Sequence, residues 1–594
     1  MSATTVGREA RTGARQRRLW RFSAQGVVSL ILSLALLVLI IYPLIATLVR
    51  TFFVDGRIDL TPFAHVFADP AFATAARNTF LLFISAGALA MIFGSLFAWI
   101  NERTDARMGR VATLLPLVTF FVPTVGMSIG WLFLGQQQVG FVNSGIRWLL
   151  GVFGVHLATG PLNIASWPGL IFMYMVELIP YVYLIMSAAL RNVDPALEEA
   201  SRMSGASPLR TIFRVSLPAV RPSLASAGLM VLIVTISLLS IPLTIGTTAR
   251  ISTLSVYIVQ MTHAIPSRLN DVVAVSVILV AVVTIAVLIN GRLAREGRQA
   301  TIGGKSGGGG RIRLGRWGIG ARVLMILYLV VAALLPLLSL IVVALEPFWT
   351  STIDPAKFTL THFHEFFFDA GNHASDALRN SLVLSIIGAT VCMVFAAITV
   401  IYARQHRRSF IAGTIRFGTR LPSAISHLVI AVAILIALGG VPFHLNGTTT
   451  ILILAYLVIY IPQASIAADS ARGQVGSELV EASQMSGAGN GRTTTRVLLP
   501  LMGSGLVSGW STLFVLIMGD LNAASILSGP SNLVIGAIIL NIWDAGIFAQ
   551  LAVLGTIICV LSAAVVGTVM LLQSSGVFRR AGRKRAQIVP PQAL

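Results

Sequence analysis

The chain has 594 residues, of which 56% are hydrophobic and only 11% charged, less than half the charged share of a soluble domain. With a mean hydropathy of +0.85, this excludes a disordered chain, a disulfide scaffold and an ordinary cytosolic enzyme, and leaves a polytopic membrane protein. Its 43 Lys and Arg against 22 Asp and Glu give +21, a balance that often points to nucleic acid and is tested here by where the positives fall.

A helix crossing about 30 Å of hydrocarbon needs about 20 apolar residues. Twelve runs qualify: near 25–49, 79–100, 112–134, 168–190, 223–247 and 270–291, then near 322–345, 381–402, 420–440, 450–468, 504–527 and 549–573. The first is too long for a signal-peptide core and lacks a small-residue cleavage site, so it reads as a retained helix. The runs are continuous rather than alternating, which excludes a β-barrel. The expected organisation is a basic tail (1–22), a first six-helix unit (23–292), a Gly/Arg-rich linker (293–320), a second unit (321–574) and a basic tail (575–594).

With the N-terminus placed in the cytosol, 35 of the 43 Lys and Arg fall on inside segments and 8 on outside ones, while acids divide ten to ten. This follows the positive-inside rule and predicts that both termini are cytosolic. The charge excess is therefore a topology signal, and no nucleic-acid partner is expected.

The two units repeat each other. Leu60, Thr61, Phe63, Phe67 and Asp69 recur as Leu360, Thr361, Phe363, Phe367 and Asp369. Arg77-Asn78-Thr79 recurs as Arg379-Asn380-Ser381, Ile179-Pro180 as Ile461-Pro462, and Tyr174 as Tyr456. The first unit carries extra residues around 135–166. An even helix count makes the copies parallel, related by an axis along the membrane normal.

The densest match lies on one loop of each unit: EEASRMSGASPLRTIFRVSLP from Glu198 to Pro218, and VEASQMSGAGNGRTTTRVLLP from Val480 to Pro500. The pattern predicts a helix, a bend and a second helix. Gly205 and Gly487 admit a backbone closed to other residues. Pro208 suits a helical first turn, and Pro218 and Pro500 kink or end the helix where the chain re-enters the membrane. A short exposed helix held between such bends suits contact with a cytosolic partner.

This loop resembles the EAA loop of binding-protein-dependent ABC importer permeases. The resemblance implies an all-α, type I ABC importer permease fold with about 12 transmembrane helices in two parallel six-helix repeats. It implies that each loop is a coupling helix seated in a groove of an ATPase subunit. The carried-over residues are Glu199, Ala200, Gly205, Leu217 and Pro218, and Glu481, Ala482, Gly487, Leu499 and Pro500, with Ser201 and Ser483 in place of a second alanine. The partners implied are two copies of a cytosolic ABC ATPase, an extracytoplasmic substrate-binding protein and the lipid bilayer of a bacterial plasma membrane. The fused layout, with RTDARMGR (103–110), PLNIAS (161–166) and LRNVDPALEEASRMSGAS (190–207), is similar to the ferric-iron subgroup. Thiamine and 2-aminoethylphosphonate permeases share that layout and stand as alternatives.

Gly304-Lys305-Ser306 supplies only the end of a P-loop, because Gln299 stands where the first glycine should be and no strand precedes it. ATP is therefore expected to be used by the partner subunit, with no cofactor and no metal bound by this chain and no catalytic residue. Cys392 and Cys559 read as small apolar helix residues. His362, His364, Glu365, Asp369 and His373 cluster before the eighth run, but the first repeat holds only His65, out of register. The shared residues read as an amphipathic surface helix. Glu177 and Asp520 sit inside apolar runs, where acids usually face a bundle interior or a water-filled path. With Tyr174 and Asn522 they are candidates for the translocation path, against structural hydrogen bonds between helices. An ion-gradient-driven secondary transporter is the alternative of another class, disfavoured because such a carrier has no use for two ATPase-docking loops.

Overall fold

The computed structural model describes residues 24–54, 56–109, 122–297, 312–368, 373–406 and 409–574. The two basic tails, the linker centre with Gln299 and Gly304-Lys305-Ser306, the start of the third expected span, and Asp369 lie outside the described residues. Apart from one two-stranded ribbon, Phe53–Val54 with Arg57–Ile58, the regular structure described is helical.

Among the described residues nine helices are long and apolar enough to cross a membrane. They are Gly26–Phe52, Pro70–Arg103, Trp167–Asn192, Leu269–Arg292, Trp317–Leu345, Ala374–Gln405, Thr449–Gly473, Asn490–Met518 and Phe548–Gln573. The ninth expected run is bent by 105° between Phe410–Ala424 and His427–Leu438, with Pro422 in the turn. Of the third, the described part is Thr124–Gly135.

The fifth and eleventh runs are broken rather than continuous. The fifth helix, Arg221–Ser237, gives way at Leu238, whose ψ of 120° is extended. Leu238 lies four residues before Pro242, the position whose carbonyl a proline ring strikes. The eleventh stops at Met518, and a separate helix, Asn522–Leu527, follows. Hydropathy averages over such breaks, so the sequence expectation ran through both. Each is followed by another short helix, Leu254–His263 or Ile535–Ala545.

The repeated Asn-Thr/Ser pair pins these returning segments. Asn78 Nδ2 donates to Ser252 O (2.8 Å), and Leu254 N donates to Thr79 Oγ1 (3.0 Å). In the second unit Asn380 Nδ2 donates to Leu533 O (2.9 Å), and Ile535 N donates to Ser381 Oγ (2.9 Å). The two units also interlock. The helix Ala24–Phe52 lies against His427–Leu438, where Thr47 Oγ1 donates to Ala433 O (3.2 Å) and Arg50 to Ile436 O and Val441 O (2.5 and 2.8 Å). Reciprocally, Leu335–Leu345 lies against Thr124–Gly135, and Ser339 Oγ donates to Gly130 O (2.8 Å). Each unit's first helix therefore embraces the other unit's third. Small residues let backbones approach, as membrane helices require: a Cβ on Gly94 would come within 2.7 Å of Val182, and one on Gly509 within 2.6 Å of Ala467.

Candidate functional site

The twin loops lie at one end of the bundle and fold alike. Pro195–Met203 and Ser477–Met485 are short helices, each ended by a glycine in the left-handed region, Gly205 at φ 83° and Gly487 at φ 78°. Ala206 N closes back on Ser201 O (3.2 Å) and Ala488 N on Ser483 O (3.1 Å), a helix-ending pattern that glycine makes accessible. Across each bend the two halves of the loop are tied by one hydroxyl pair: Ser201–Thr211 at 3.1 Å and Ser483–Thr493 at 3.0 Å. The serines that replace the second alanine thus have a structural use. Both loops then pass through a π turn, Ile212–Ser216 or Thr494–Leu498, into Leu217-Pro218 or Leu499-Pro500. The identical residues Glu199, Ala200, Met203 and Gly205, and Glu481, Ala482, Met485 and Gly487, are exposed. Met203 and Met485 project furthest, at 91% and 90% exposure.

Beneath them the two loops are anchored by different chemistry. In the first, Glu198 is buried, accepts a hydrogen bond from Ser216 Oγ (2.8 Å) and pairs with Arg103 (Nε–Oε1 3.4 Å). Arg103 also donates to Leu190 O (2.7 Å) and Val193 O (2.8 Å), tying the loop to two membrane helices. In the second, the matching positions are Val480 and Leu498, which join Ile401, Ala471, Val475 and Met502 in an apolar cluster. A second pair swaps polarity. Glu102 accepts from Ser187 (2.5 Å) and Arg191 (2.8 Å), whereas Arg404 makes a two-pronged pair with Asp469 (2.6 and 2.8 Å). None of these anchors stood out in the sequence. The available signal was that Glu198/Val480 and Ser216/Leu498 mismatch inside an otherwise matching stretch.

The path candidates separate. Asp520 is buried, but every oxygen is engaged: Tyr460 Oη donates to Oδ1 (3.0 Å), and Ala523 N and Ala524 N donate to Oδ2 (2.9 and 3.3 Å). It caps the short helix that follows the break, a role needing no cargo. Asn522 begins that helix. Beside it, His263 Nε2 meets Ser525 O at 2.8 Å, so the broken segments of the two units touch. Glu177 lies elsewhere, on Trp167–Asn192 with the fully buried Tyr174. Its Oε1 accepts from Thr124 Oγ1 (3.0 Å), while Oε2 is buried with no hydrogen-bond partner among the described residues. The buried Tyr328 of the second unit, on a neighbouring helix, donates to Val176 O (3.0 Å).

At the opposite end Asp69 caps the helix Pro70–Arg103 and accepts from Tyr257 Oη (3.0 Å) and Arg268 (3.1 Å). Burial pushes its carboxyl upward, but the bonds from Ala71 N, Tyr257 and Arg268 outweigh this and leave it below the ordinary value of 3.8. Burial likewise pulls the Arg268 guanidinium down, and its bonds to Asp271 and Asp69 more than offset that. The two repeated surface segments form the helices Thr61–Ala68 and Thr361–Phe368, buried through Val66 and Phe366 rather than through the shared phenylalanines. His362 pairs with Glu365 (3.2 Å) and His364 stacks on Phe368. Among the described residues no three His, Cys, Asp or Glu groups converge as a metal site. Cys392 and Cys559 are buried thiols.

The described residues form a polytopic helical bundle with two interlocked repeats and twin exposed loops at one end. Residues 90–296, which include the first loop, match the family described as "Binding-protein-dependent transport system inner membrane component". Residues 90–296 thus carry a permease domain of that family, and the chain as a whole is similar to ABC importer permeases. It is 24% identical over 578 residues to a ferric transport system permease protein of Actinobacillus pleuropneumoniae, covering 91% of this chain and 77% of the relative. A putative ferric transport system permease protein of Haemophilus influenzae is 24% identical over 517 residues, 84% of this chain and 77% of its own. A putative 2-aminoethylphosphonate transport system permease protein of Salmonella choleraesuis is 30% identical over 198 residues, 32% of this chain and 65% of its own. Among solved structures, a bacterial ABC transporter involved in the import of alginate aligns with TM-score 0.36 and 19% identity, over 44% of this chain and 92% of that one.

Proposed function

We propose that this chain is the transmembrane permease subunit of an ATP-driven, binding-protein-dependent importer for ferric iron in a bacterial plasma membrane, with both termini cytosolic. The observation that carries the reading is the pair of loops. Two exposed helices of equal length, each ended by a positive-φ glycine, suit two copies of one ATPase partner. On this reading Glu199, Ala200, Gly205, Leu217 and Pro218 form one coupling site, and Glu481, Ala482, Gly487, Leu499 and Pro500 the other. ATP is bound and hydrolysed by the partner subunits. Their closure draws the two loops together, the interlocked units rock to face outward, an extracytoplasmic binding protein delivers cargo, and hydrolysis restores the inward-facing state. Of the path candidates, Glu177 is the better supported, because its second oxygen is buried and unengaged among the described residues. Asp520 is engaged at both oxygens.

The iron assignment is supported by similarity over 91% of the chain to a ferric transport permease. The 30% identity to a 2-aminoethylphosphonate permease over a shorter stretch makes that compound the competing cargo. The test is co-expression with candidate ATPase and binding-protein subunits, followed by co-purification and uptake of radiolabelled iron or 2-aminoethylphosphonate. ATP-dependent iron uptake that needs this chain is the expected result. Uptake of the phosphonate alone would replace the cargo. Failure to bind any ATPase, with uptake driven by an ion gradient, would overturn the importer reading.

A further inference from the structure

The first unit contains a segment that the second lacks. Between Thr124–Gly135 and Trp167–Asn192, at the end opposite the twin loops, the chain forms the helix Phe141–Val152 and a folded return. The matching connection in the second unit, between His427–Leu438 and Thr449–Gly473, has no such helix.

The segment is held rigidly from within. Asn143 is fully buried: its Nδ2 donates to Gln136 O (2.9 Å) and Leu162 O (2.8 Å), and its Oδ1 accepts from Leu162 N (3.0 Å). Gly160 packs so closely on it that a Cβ there would come within 2.3 Å of the Asn143 Cβ. Arg147 turns back to donate to Gln138 O (2.9 Å).

The outward face is apolar and uncovered. Trp148 (73%), Val152 (67%) and Phe153 (76%) are exposed, together with Leu149 and Val155. From 136 to 166 the sequence has no acid and a single Arg, the one already bonded inward. A face this apolar and nearly free of charge is a poor water surface. It matches a helix lying in the lipid boundary, with Trp at headgroup depth. Its level agrees: the preceding helix carries Phe133, whose ring meets Trp349 and Phe548 at 4.9 and 6.4 Å, and Trp543 meets Phe548 at 6.1 Å, an aromatic cluster at this same end.

We propose that the helix Phe141–Val152 is an interfacial anchor that lays Trp148, Leu149, Val152 and Phe153 into the bilayer leaflet opposite the twin loops. Its occupant is phospholipid acyl chain and glycerol, with no requirement for an anionic headgroup. The anchor gives the first unit a grip on that leaflet that the second unit lacks, next to the helices that carry Thr124 and Glu177.

The full-length chain is reconstituted in vesicles of phosphatidylcholine, either plain or brominated high on the acyl chain. The emission of Trp148 is read as the difference between the natural protein and Trp148→Phe. A second reporter, Phe153→Trp in the Trp148→Phe background, is read in the same way, so that neither result depends on one variant folding. The expected result is about a twofold loss of the reporter emission in brominated vesicles and little quenching by aqueous iodide, as for a side chain about 5–10 Å into the boundary. Strong iodide quenching with no effect of bromine would place the helix in water and overturn the proposal. Protection from both quenchers would mean that protein covers the face, and would also overturn it.

Discussion

The twin exposed loops of this chain agree at their tips and differ at one buried anchor. Several of their exposed residues are the same, Glu199 and Glu481, Met203 and Met485, Gly205 and Gly487, while Ala196 and Glu478 or Ser207 and Gly489 differ. Their buried anchors differ. Glu198 and Ser216 with Arg103 occupy in the first unit what Val480 and Leu498 occupy in the second. Packing alone would keep the interior and let the surface drift. Shared exposed residues at the loop tips over one differently built anchor are what two copies of one partner would allow, each loop being free to find its own means of staying in place. The energetics of the two solutions are not equivalent. A buried ion pair is offset by desolvation and is often no better than apolar packing, but it fails asymmetrically when one partner is lost.

That asymmetry sets the largest expected effect. Glu198→Ala leaves Arg103 buried beside two carbonyls with no counter-charge and is expected to destabilise the protein by about 3–5 kcal/mol. Val480→Ala, the matching change, removes two methyl groups at a cost of about 2 kcal/mol. Thermal unfolding of the purified protein in detergent measures both, and equal losses would break the comparison. The combined variant Arg103→Gln, Glu198→Val, Ser216→Leu writes the second unit's residues into the first. It is expected to return to within about 1 kcal/mol of the natural chain, because the pair serves to hold the loop rather than to carry charge.

Next come the bends. Gly205→Val and Gly487→Val each force a β-branched residue to φ near +80°, at about 1–2 kcal/mol of local strain. Neither glycine has an atom within 4 Å of its would-be Cβ, so the cost is conformational and confined to the loop. Membrane insertion and yield should be unchanged, while ATP-dependent uptake falls at least about tenfold, the factor that 1.4 kcal/mol of misplacement gives. If either variant kept full uptake, the two loops would not be equivalent couplers.

The glycines were legible in the sequence because a left-handed position admits few other residues and because each appeared twice at one spacing. The nine long apolar helices among the described residues were legible for a similar reason, since hydrocarbon thickness sets a length. What the sequence hid lies below that averaging. A carbonyl four residues before Pro242 ends the fifth helix, and a run of mean hydropathy does not register one lost hydrogen bond. Asp520 looked like a path residue because an acid in an apolar run is costly. Its actual partners are the N–H groups of a helix that begins two residues later, which only the break makes available. Arg103 was counted among the inside positives, but its pairing with Glu198 joins residues 95 apart and no local pattern announces it.

A smaller effect sharpens the comparison where the units agree. Asn78→Ala and Asn380→Ala each remove one side-chain-to-carbonyl bond in the same place. They are expected to cost about 1 kcal/mol apiece and to add in the double variant. A large difference between them in unfolding temperature would show that the returning segments after the two broken helices carry unequal loads.

The smallest effect belongs to one unit alone. Asp69 joins the cap of Pro70–Arg103 to Tyr257 and Arg268, whereas the second unit has Ile538 at the position matching Tyr257. Because the folded protein holds the Asp69 carboxyl below its ordinary 3.8, this contribution is fully present at neutral pH and above that value. It is lost as pH falls through the lowered folded value. Solvent reaches Arg268, whose side chain is 39% exposed, so the gain is at most about 1 kcal/mol. Asp69→Asn should lower the unfolding temperature slightly at neutral pH and have no added effect at pH low enough to protonate the natural carboxyl. The natural chain and the variant would then converge on acidification. Convergence on raising the pH instead would reverse the sign and remove Asp69 as an ionised cap.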